Sequence, residues 1–490
     1  MLVAPAALRG ALNGRQPFLA GLLTAPADPF AIGFRLDAFL AAIPQTAPDR
    51  RYARIFALVI LQGLIWCSSP TGLFSTAMRG RTFTARPGPS CGLWLSGRTR
   101  RQGLGCTRLG QENAMPHLHP DIDPNGLDEF SVVFTDRSLN HMSQRFGQVM
   151  RDLSATLREV YGAAQVAIVP GGGTYAMESV ARQFGTGHAL VVRNGWFSYR
   201  WSQIFDTGGF ARETTVVMAR PAGNEPQPAY APPPVDEVVA KIRKTRPDAV
   251  FAPHVETSAG LILPDDYIRA LSDAAHQVGA LMVLDCIASG AVWVDMAATG
   301  VDVLISAPQK GWSASPAAGL VMLSDRGAER LAQTDSDSFA LDLKKWRAIM
   351  AAYEDNGHAY HATMPTDALL GLRDAMEETR AMGFDAARDA QWRLGNAVRD
   401  MLAERGIRSV AAPGFAAPGV VVSYTDDPDI KNGRKFAAEG MQIAAGVPLA
   451  VNEGDRFSTF RLGLFGLDKL KDVDGTLARL RTVMDKVLPA

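Results

Sequence analysis

Ile305-Ser306-Ala307-Pro308-Gln309-Lys310-Gly311-Trp312 is the stretch around which the chain is organised. The apolar run 301–305 predicts a buried strand, so Lys310 stands in a short loop directly after that strand. Burial of an ammonium group is unfavourable unless its charge is removed or paired. A Schiff base with an aldehyde cofactor would remove the charge and give the lysine a catalytic role. A surface lysine after an edge strand is the alternative, so the interpretation depends on the residues that accompany Lys310.

The composition indicates a globular protein without an extreme charge. Of the 490 residues, 47% are hydrophobic, and 50 basic residues balance 50 acidic ones. This length allows two or three domains, and this balance argues against nucleic acid or a membrane as a partner. Three of the four cysteines lie before residue 115, so no disulfide framework is implied for the rest of the chain. We expect a cytoplasmic protein and predict no metal site.

The first 114 residues differ in composition from the rest. They contain 13 arginines against four acidic residues, and prolines and glycines interrupt their apolar runs. Their most apolar segment, 55–66, is shorter than the roughly 20 residues that a membrane span needs. We interpret residues 1–114 as a poorly ordered N-terminal extension that arises from a misassigned start. Its deletion is expected to leave a soluble, active protein.

From Met115 onward the apolar residues follow regular patterns. Residues 116–126 form an irregular lead-in, and the apolar residues between 146 and 160 have the spacing of an amphipathic helix. Short apolar runs suited to a sheet buried on both faces then alternate with helical stretches. The predicted strands are at 166–169, 189–192, 249–251, 281–284 and 301–305, and the predicted helices at 174–184, 235–244 and 265–278. This alternation predicts an α/β fold with a mostly parallel sheet.

The last part of the chain predicts a second, smaller unit. A helix-favouring region over residues 366–405 is followed by predicted strands at 419–424 and 459–464 and by a helical end at 467–487. We interpret this part as an α+β domain. The predicted division is a lead-in and helix over 115–150, a large domain over 151–380 and a small domain over 381–490.

A glycine-rich segment precedes the helix predicted at 174–184. Val169-Pro170-Gly171-Gly172-Gly173-Thr174-Tyr175 follows a predicted strand. Glycines let the backbone approach an anion closely, and a helix N-terminus offers unpaired N–H groups, which suits a phosphate. A tight turn would also explain the glycines. The segment lacks the ending of a Walker loop and the G-x-G-x-x-G fingerprint of dinucleotide sites.

Two polar residues follow predicted strands. Asp285 ends the run 281–284, and a carboxylate at the carboxyl end of a parallel strand points into the crevice where α/β proteins bind ligands. A helix N-cap or a salt bridge in a loop is the alternative. Beside a pyridine nitrogen, a buried aspartate would keep that nitrogen protonated. Thr257 follows another strand and either bonds a phenolic oxygen or is an ordinary turn residue.

A glycine loop, a strand-end aspartate and a lysine twenty-five residues later resemble the fold-type I enzymes that depend on pyridoxal 5′-phosphate (PLP). Three motifs look like those of the class V aminotransferases, in particular the alanine–glyoxylate and serine–pyruvate aminotransferase group. They are Glu256-Thr257-Ser258-Ala259-Gly260, Leu284-Asp285-Cys286-Ile287-Ala288-Ser289 and Ser306-Ala307-Pro308-Gln309-Lys310. The resemblance covers about residues 139–487. It implies a seven-stranded-type sheet in the large domain and a homodimer with shared active sites.

The resemblance also implies a role for each matching residue. Lys310 would hold the cofactor and shuttle the substrate's α-proton, and Asp285 would pair with the pyridine nitrogen. Ile287 and Phe197 would pack on the two faces of the ring, with Trp196 as the rival of Phe197. The other matches would bind the phosphate or the ring oxygen: Gly172, Gly173, Thr174 and Gln309 the phosphate, Thr257 the ring oxygen, and Tyr360 and Thr363 the phosphate of the neighbouring subunit.

Arg461 is the candidate for binding the substrate. In its predicted strand, Phe460, Leu462 and Leu464 alternate with Arg461 and Gly463, so the arginine lies on the opposite face from the apolar residues. A guanidinium suits bidentate recognition of a carboxylate. The resemblance implies that Arg461 binds the α-carboxylate, and a solvated strand arginine is the alternative.

Two features depart from the family pattern. The N-terminal Pro-Gly-Pro-type loop is missing, and Val133-Phe134-Thr135-Asp136-Arg137-Ser138 stands in its place, so Asp136 and Arg137 bear on substrate choice. Gly172 stands where relatives often carry serine, which removes one hydroxyl donor. These departures affect specificity more than chemistry.

The implied reaction is ping-pong transamination from an alanine- or serine-like amino acid to a 2-oxo acid such as glyoxylate or pyruvate. A lyase or epimerase of the same fold would keep the same cofactor residues. A cysteine desulfurase is disfavoured because Cys286 is the one cysteine after Asp285 and Gln309 stands where that group usually has histidine. A dehydrogenase would leave Lys310 without a role, and an inactive binding protein is disfavoured because the lysine, the aspartate and the glycine loop are all intact.

Overall fold

The computed structural model describes residues 138–488, together with Asp123, Gly126 and Leu127. The predictions for residues 1–114 and for most of the lead-in, including Asp136 and Arg137, lie outside the described residues. Within the described part, no helix is both long enough and apolar enough to cross a membrane.

Strands and helices alternate along the chain. In chain order, the strands of the described residues are β1 Gln165–Pro170, β2 His188–Arg193, β3 Glu213–Met218, β4 Arg220–Pro221, β5 Tyr230–Ala231, β6 Ala249–Pro253, β7 Val255–Glu256, β8 Leu261–Ile262, β9 Leu281–Asp285, β10 Val303–Ser306, β11 Ala318–Leu323, β12 Val420–Tyr424, β13 Ala444–Ala445 and β14 Thr459–Gly463. The helices are α1 Gln144–Tyr161, α2 Gly173–Phe184, α3 Trp196–Gly208, α4 Val235–Thr245, α5 Asp265–Gln277, α6 Met296–Thr299, α7 Asp325–Gln333, α8 Leu343–Glu354, α9 Thr366–Met382, α10 Phe384–Ala403, α11 Pro428–Lys431, α12 Arg434–Ala438, α13 Leu467–Leu470 and α14 Val473–Val487.

Seven strands form the main sheet, in the order β1-β11-β10-β9-β6-β2-β3. β11 runs antiparallel to β1 and β10, and the other neighbouring pairs are parallel. Every residue of β6, β9 and β11 is buried, as expected for strands covered on both faces. The predicted α/β fold with a mostly parallel, seven-stranded sheet is confirmed.

Capping residues at both ends and an apolar face explain why helix α1 forms where it does. The side chain of Ser143 accepts a hydrogen bond from the N–H of Phe146 at 3.1 Å and caps the first turn. Gly162 ends the helix in the left-handed conformation, with φ 64°. The apolar face that the spacing predicts is buried, and the helix packs against α8 and α9.

The helix-favouring region over 366–405 is two helices and not one. Gly383 lies between α9 and α10 with φ 91°, a conformation that favours glycine and interrupts the helix.

The sequence patterns also did not predict β3, β11, α3 or α8. β3 lies at the edge of the sheet, and five of its six residues are half-buried while one is exposed. An edge strand of this kind does not need the unbroken apolar run that the sequence patterns were based on.

The C-terminal part forms its own antiparallel sheet, in the order β12-β14-β13. Helices α10 and α14 pack together there, and their apolar side chains belong to a cluster separate from that of the main sheet. The boundary between residues 380 and 381 stays a prediction.

Candidate active site

The carboxyl ends of β9 and β10 bring the strand-end residues together. The two strands are parallel neighbours, and Asp285 lies opposite Ile305 in their register. The N–H of Cys286 donates to the carbonyl of Ile305 at 2.8 Å, which continues the pairing past Asp285. Lys310 follows in the loop after β10. The aspartate and the lysine therefore leave adjacent strands at the same edge of the sheet.

Asp285 is a buried carboxyl group that no cation of the described residues neutralises at ion-pair distance. The residue is 8% exposed, and its Oδ1 accepts a hydrogen bond from the N–H of Ile287 at 2.9 Å. Burial raises the pKa of Asp285 to about 7, with a further upward contribution from Glu256 and opposing ones from the Ile287 N–H and Arg200. A bound cation beside this group would restore the carboxylate.

Lys310 is half-buried, and its Nζ lies 5.2 Å from the centre of the Phe465 ring. Burial lowers the pKa of Lys310, and the positive charge of Arg461 lowers it further. A lysine with a lowered pKa has a larger fraction of neutral amine, which is the form that attacks a carbonyl group.

The loop that carries Lys310 is fixed by close packing. Trp312 is fully buried and stacks on Trp293 with ring centres 4.6 Å apart. A Cβ at position 311 would lie 2.0 Å from the carbonyl oxygen of Gly290, so this position has room for glycine alone. The segment Gly311-Trp312, which follows Lys310 in the sequence, therefore sets the direction in which the lysine leaves the sheet.

The glycine loop (residues 171–174) opens α2. No side chain caps this helix, and its first turn contains no acidic residue, so the first N–H groups are available to an anion. A Cβ on Gly172 would meet nothing within 4 Å, whereas a Cβ on Gly173 would lie 2.5 Å from Ile287 Cδ1. The structure therefore brings the predicted phosphate loop and the predicted ring-packing residue into contact. Gln309 is exposed beside Lys310.

Phe197 lies with Arg461, and Trp196 does not share that contact. The Cζ of Arg461 lies 5.5 Å from the centre of the Phe197 ring, whereas Trp196 packs on Tyr199 with ring centres 5.8 Å apart. Arg461 is half-buried and its Nε donates to the carbonyl of Ala445 at 2.8 Å. Burial lowers the pKa of Arg461, and Glu256 opposes that shift.

Glu256 is a buried residue beside the site whose structural role the sequence patterns did not reveal. It is fully buried and accepts hydrogen bonds from the N–H groups of Phe197, Ser198 and Ser258 at 3.2, 2.9 and 3.1 Å. The hydroxyl groups of both serines donate to it as well, each at 2.7 Å. A carboxylate is favourable at a helix N-terminus, so Glu256 holds the start of α3. The glutamate at the head of its motif was the available signal.

The remaining predicted residues fall in two places. Thr257 is 6% exposed in the turn after Glu256. Tyr360 and Thr363 lie between α8 and α9, where their hydroxyl oxygens are 3.3 Å apart. Tyr360 is 58% exposed and packs on His141, with ring centres 5.5 Å apart. These contacts of Tyr360 and Thr363 involve neither Asp285 nor Lys310 nor the glycine loop.

Comparisons with known proteins bear on this arrangement. The sequence profile of the family described as aminotransferase class-V matches residues 130–426. The 2-aminoethylphosphonate–pyruvate transaminase of Paraburkholderia phymatum is 30% identical over 68% of this chain and 84% of its own length. The soluble hydrogenase, small subunit, of Synechococcus sp. (strain PCC 6716) is 28% identical over 71% of this chain and 87% of its own length. The alanine–glyoxylate aminotransferase from Nostoc sp. superposes with a TM-score of 0.61 at 21% identity, over 71% of this chain and 89% of its own.

Proposed function

The chain belongs to the aminotransferase class-V family, and from that premise we propose that it moves an amino group from an alanine- or serine-like amino acid to a 2-oxo acid such as glyoxylate or pyruvate. That it is an aminotransferase of fold type I, with PLP as its cofactor, follows from the family itself. The identity of the two substrates and the ping-pong order are the proposal. The observation that carries it is the placement of Asp285 at the end of β9 and of Lys310 in the loop after the neighbouring parallel strand β10, with Arg461 close enough to lower the pKa of the lysine.

The residues present fit the cofactor. Asp285 is a buried acid with no cation of the described residues at ion-pair distance, the start of α2 offers N–H groups beside open space at Gly172, and Lys310 has a lowered pKa. These features suit the pyridine nitrogen, the phosphate and the aldehyde of PLP, respectively. When bound, the cofactor supplies an electron sink that makes the α-proton of an amino acid acidic.

Each residue then has a distinct task. Lys310 binds the cofactor and moves a proton at the substrate's α-carbon, acting as the general base and acid. Asp285 keeps the ring nitrogen protonated, while Phe197 and Ile287 pack on the ring and Thr257 bonds its oxygen. Arg461 binds the α-carboxylate, because its half-buried guanidinium lies beside Phe197 and within electrostatic reach of Lys310. Gly172, Gly173, Thr174 and Gln309 bind the phosphate.

A second donor is favoured by one comparison. The relative from Paraburkholderia phymatum is named for 2-aminoethylphosphonate and pyruvate. In 2-aminoethylphosphonate the anionic group stands one carbon farther from the amino-bearing carbon than the carboxylate of an α-amino acid does, but a guanidinium recognises both anions. A panel of alanine, serine and 2-aminoethylphosphonate against glyoxylate, pyruvate and 2-oxoglutarate separates the two donors.

We also propose a homodimer with shared sites. Tyr360 is exposed although it is aromatic, and its contacts are with Thr363 and His141 and not with Asp285, Lys310 or the glycine loop. The resemblance places both residues at the phosphate of the neighbouring subunit. A mass measured by light scattering should equal twice that of the chain. Cys286, a buried free thiol, agrees with a reducing compartment such as the cytoplasm.

The test of the reaction uses the purified holoenzyme and Lys310→Ala. The wild type should absorb at about 410–430 nm, as cofactors joined to a lysine do, and should release one 2-oxo acid per site in the absence of an acceptor. A lyase or epimerase would not give that stoichiometric product. Lys310→Ala should lose the absorbance band and turnover, and a variant with normal transamination would eliminate the role assigned to the lysine.

A further inference from the structure

A second guanidinium, that of Arg200, lies at the glycine loop. Arg200 is one helical turn after Phe197 in α3. Its Nη1 donates a hydrogen bond of 2.9 Å to Thr174 Oγ1, and its Cζ lies 5.7 Å from the centre of the Phe197 ring. Phe197 therefore has two guanidinium groups close to its ring, and that of Arg200 is bonded to the loop.

No carboxylate of the described residues pairs with Arg200. The acids nearest in the site are committed elsewhere, since Glu256 accepts five hydrogen bonds at the start of α3 and Asp285 accepts one from Ile287. By contrast, Arg212, just beyond the same helix, lies 3.5 Å from a carboxylate oxygen of Asp248. A half-buried guanidinium without a counter-ion adds to the positive potential that the N-terminus of α2 already provides.

The two guanidinium groups act on different ends of the site. Arg461 lowers the pKa of Lys310, which marks the end where the substrate is proposed to bind. Arg200 contacts Thr174 and lowers the pKa of Asp285. The position of Arg200 is therefore that of a group directed at the cofactor and not at the α-carboxylate of the substrate.

We infer that Arg200 is a cofactor-binding residue whose guanidinium pairs with the phosphate group held at the glycine loop. The bond to Thr174 uses one of five N–H donors, and the planar guanidinium can give two of the others to phosphate oxygens. This compensates the negative charge of the phosphate at a loop where Gly172 supplies no side chain. The inference rests on the proposed cofactor site.

The test compares PLP with pyridoxal, which lacks the phosphate. The cofactor is removed from the full-length holoenzyme, and each compound is titrated back while absorbance reports binding. We expect Arg200→Gln to weaken PLP binding about 10- to 100-fold, the loss typical of a charge-assisted hydrogen bond, and pyridoxal binding less than about threefold. Arg200→Lys keeps the charge without the planar arrangement of donors, so its PLP affinity should lie between that of the wild type and that of Arg200→Gln. Arg212→Gln, which removes an exposed arginine directly before β3, is the matched control and should change neither affinity.

Equal weakening of PLP and pyridoxal, or an unchanged PLP affinity in Arg200→Gln, would overturn the inference. Should Arg200→Gln fail to fold, Arg200→Lys decides by the same comparison, because a phosphate contact must weaken PLP more than pyridoxal. Wild-type protein that binds neither compound would instead overturn the cofactor site as a whole. The two failures are therefore distinguishable.

Discussion

Gly173 and Ile287 lie against each other, so that a Cβ at position 173 would come within 2.5 Å of Ile287 Cδ1. The contact joins the start of α2 to the residue two positions after Asp285. The distance between the loop proposed for the phosphate and the acid proposed for the ring nitrogen is thus set by one glycine and one isoleucine. The glycine is needed here for space, since its φ does not lie in the left-handed region.

Gly173→Ala should lower the free energy of unfolding by about 1–3 kcal/mol, the usual cost of inserting a methyl group into a packed site. The fall is measured as a lower Tm of the cofactor-free protein. Ile287→Val in the same chain removes Cδ1 and should restore part of the Tm. Gly172→Ala is the matched control, because its added Cβ would meet nothing within 4 Å. A Gly173→Ala protein with the wild-type Tm would contradict this account.

Glu256→Gln should destabilise the protein although the side chain keeps its size. Five groups donate to the carboxylate, and an amide NH2 in place of one oxygen cannot accept from them. The expected cost is about 1–3 kcal/mol for donors left unsatisfied in a buried place. Thermal unfolding measures this loss of stability. Trp196 is the first residue of α3, so tryptophan fluorescence should also report the change at the start of this helix. Glu237→Gln, a change at an exposed ion pair with Arg220, is the control and should have little effect. Equal Tm values for the two variants would contradict the role assigned to Glu256.

Sequence patterns predicted the site residues that are marked by the residues next to them along the chain. Asp285 and Lys310 each follow an apolar run, and the runs are buried strands, so their position at one edge of the sheet could be expected. Glu256 and Arg200 could not be found in this way, because their partners are 58 and 26 residues distant along the chain. The break at Gly383 could not be predicted either. Many helices tolerate a glycine within a helical pattern, and the φ of Gly383 is known only from the fold.

Asp285 should make the cofactor-free protein less stable as the pH rises. Its pKa in the folded protein is about 7, above its ordinary value of 3.8, so between these values the folded state binds more protons than the unfolded state. The free energy of unfolding therefore falls as the pH rises through this window and levels off above it. Asp285→Asn cannot ionise and should flatten the profile of Tm against pH. A variant with the wild-type slope would show that another group is responsible.

Arg461→Gln should raise the KM for amino donors that carry an α-carboxylate by about 100-fold, the cost of a lost charge-assisted pair. The effect should disappear for the matching amine without a carboxylate, since that donor has nothing for the guanidinium to bind. The same change removes the positive charge that lowers the pKa of Lys310, so the pKa of the free lysine should rise in the cofactor-free protein. Arg481→Gln, on α14 and paired with Glu404 at 3.6 Å, is the matched control. Equal KM effects on donors with and without the carboxylate would show that Arg461 supports the fold of the site and does not recognise the substrate.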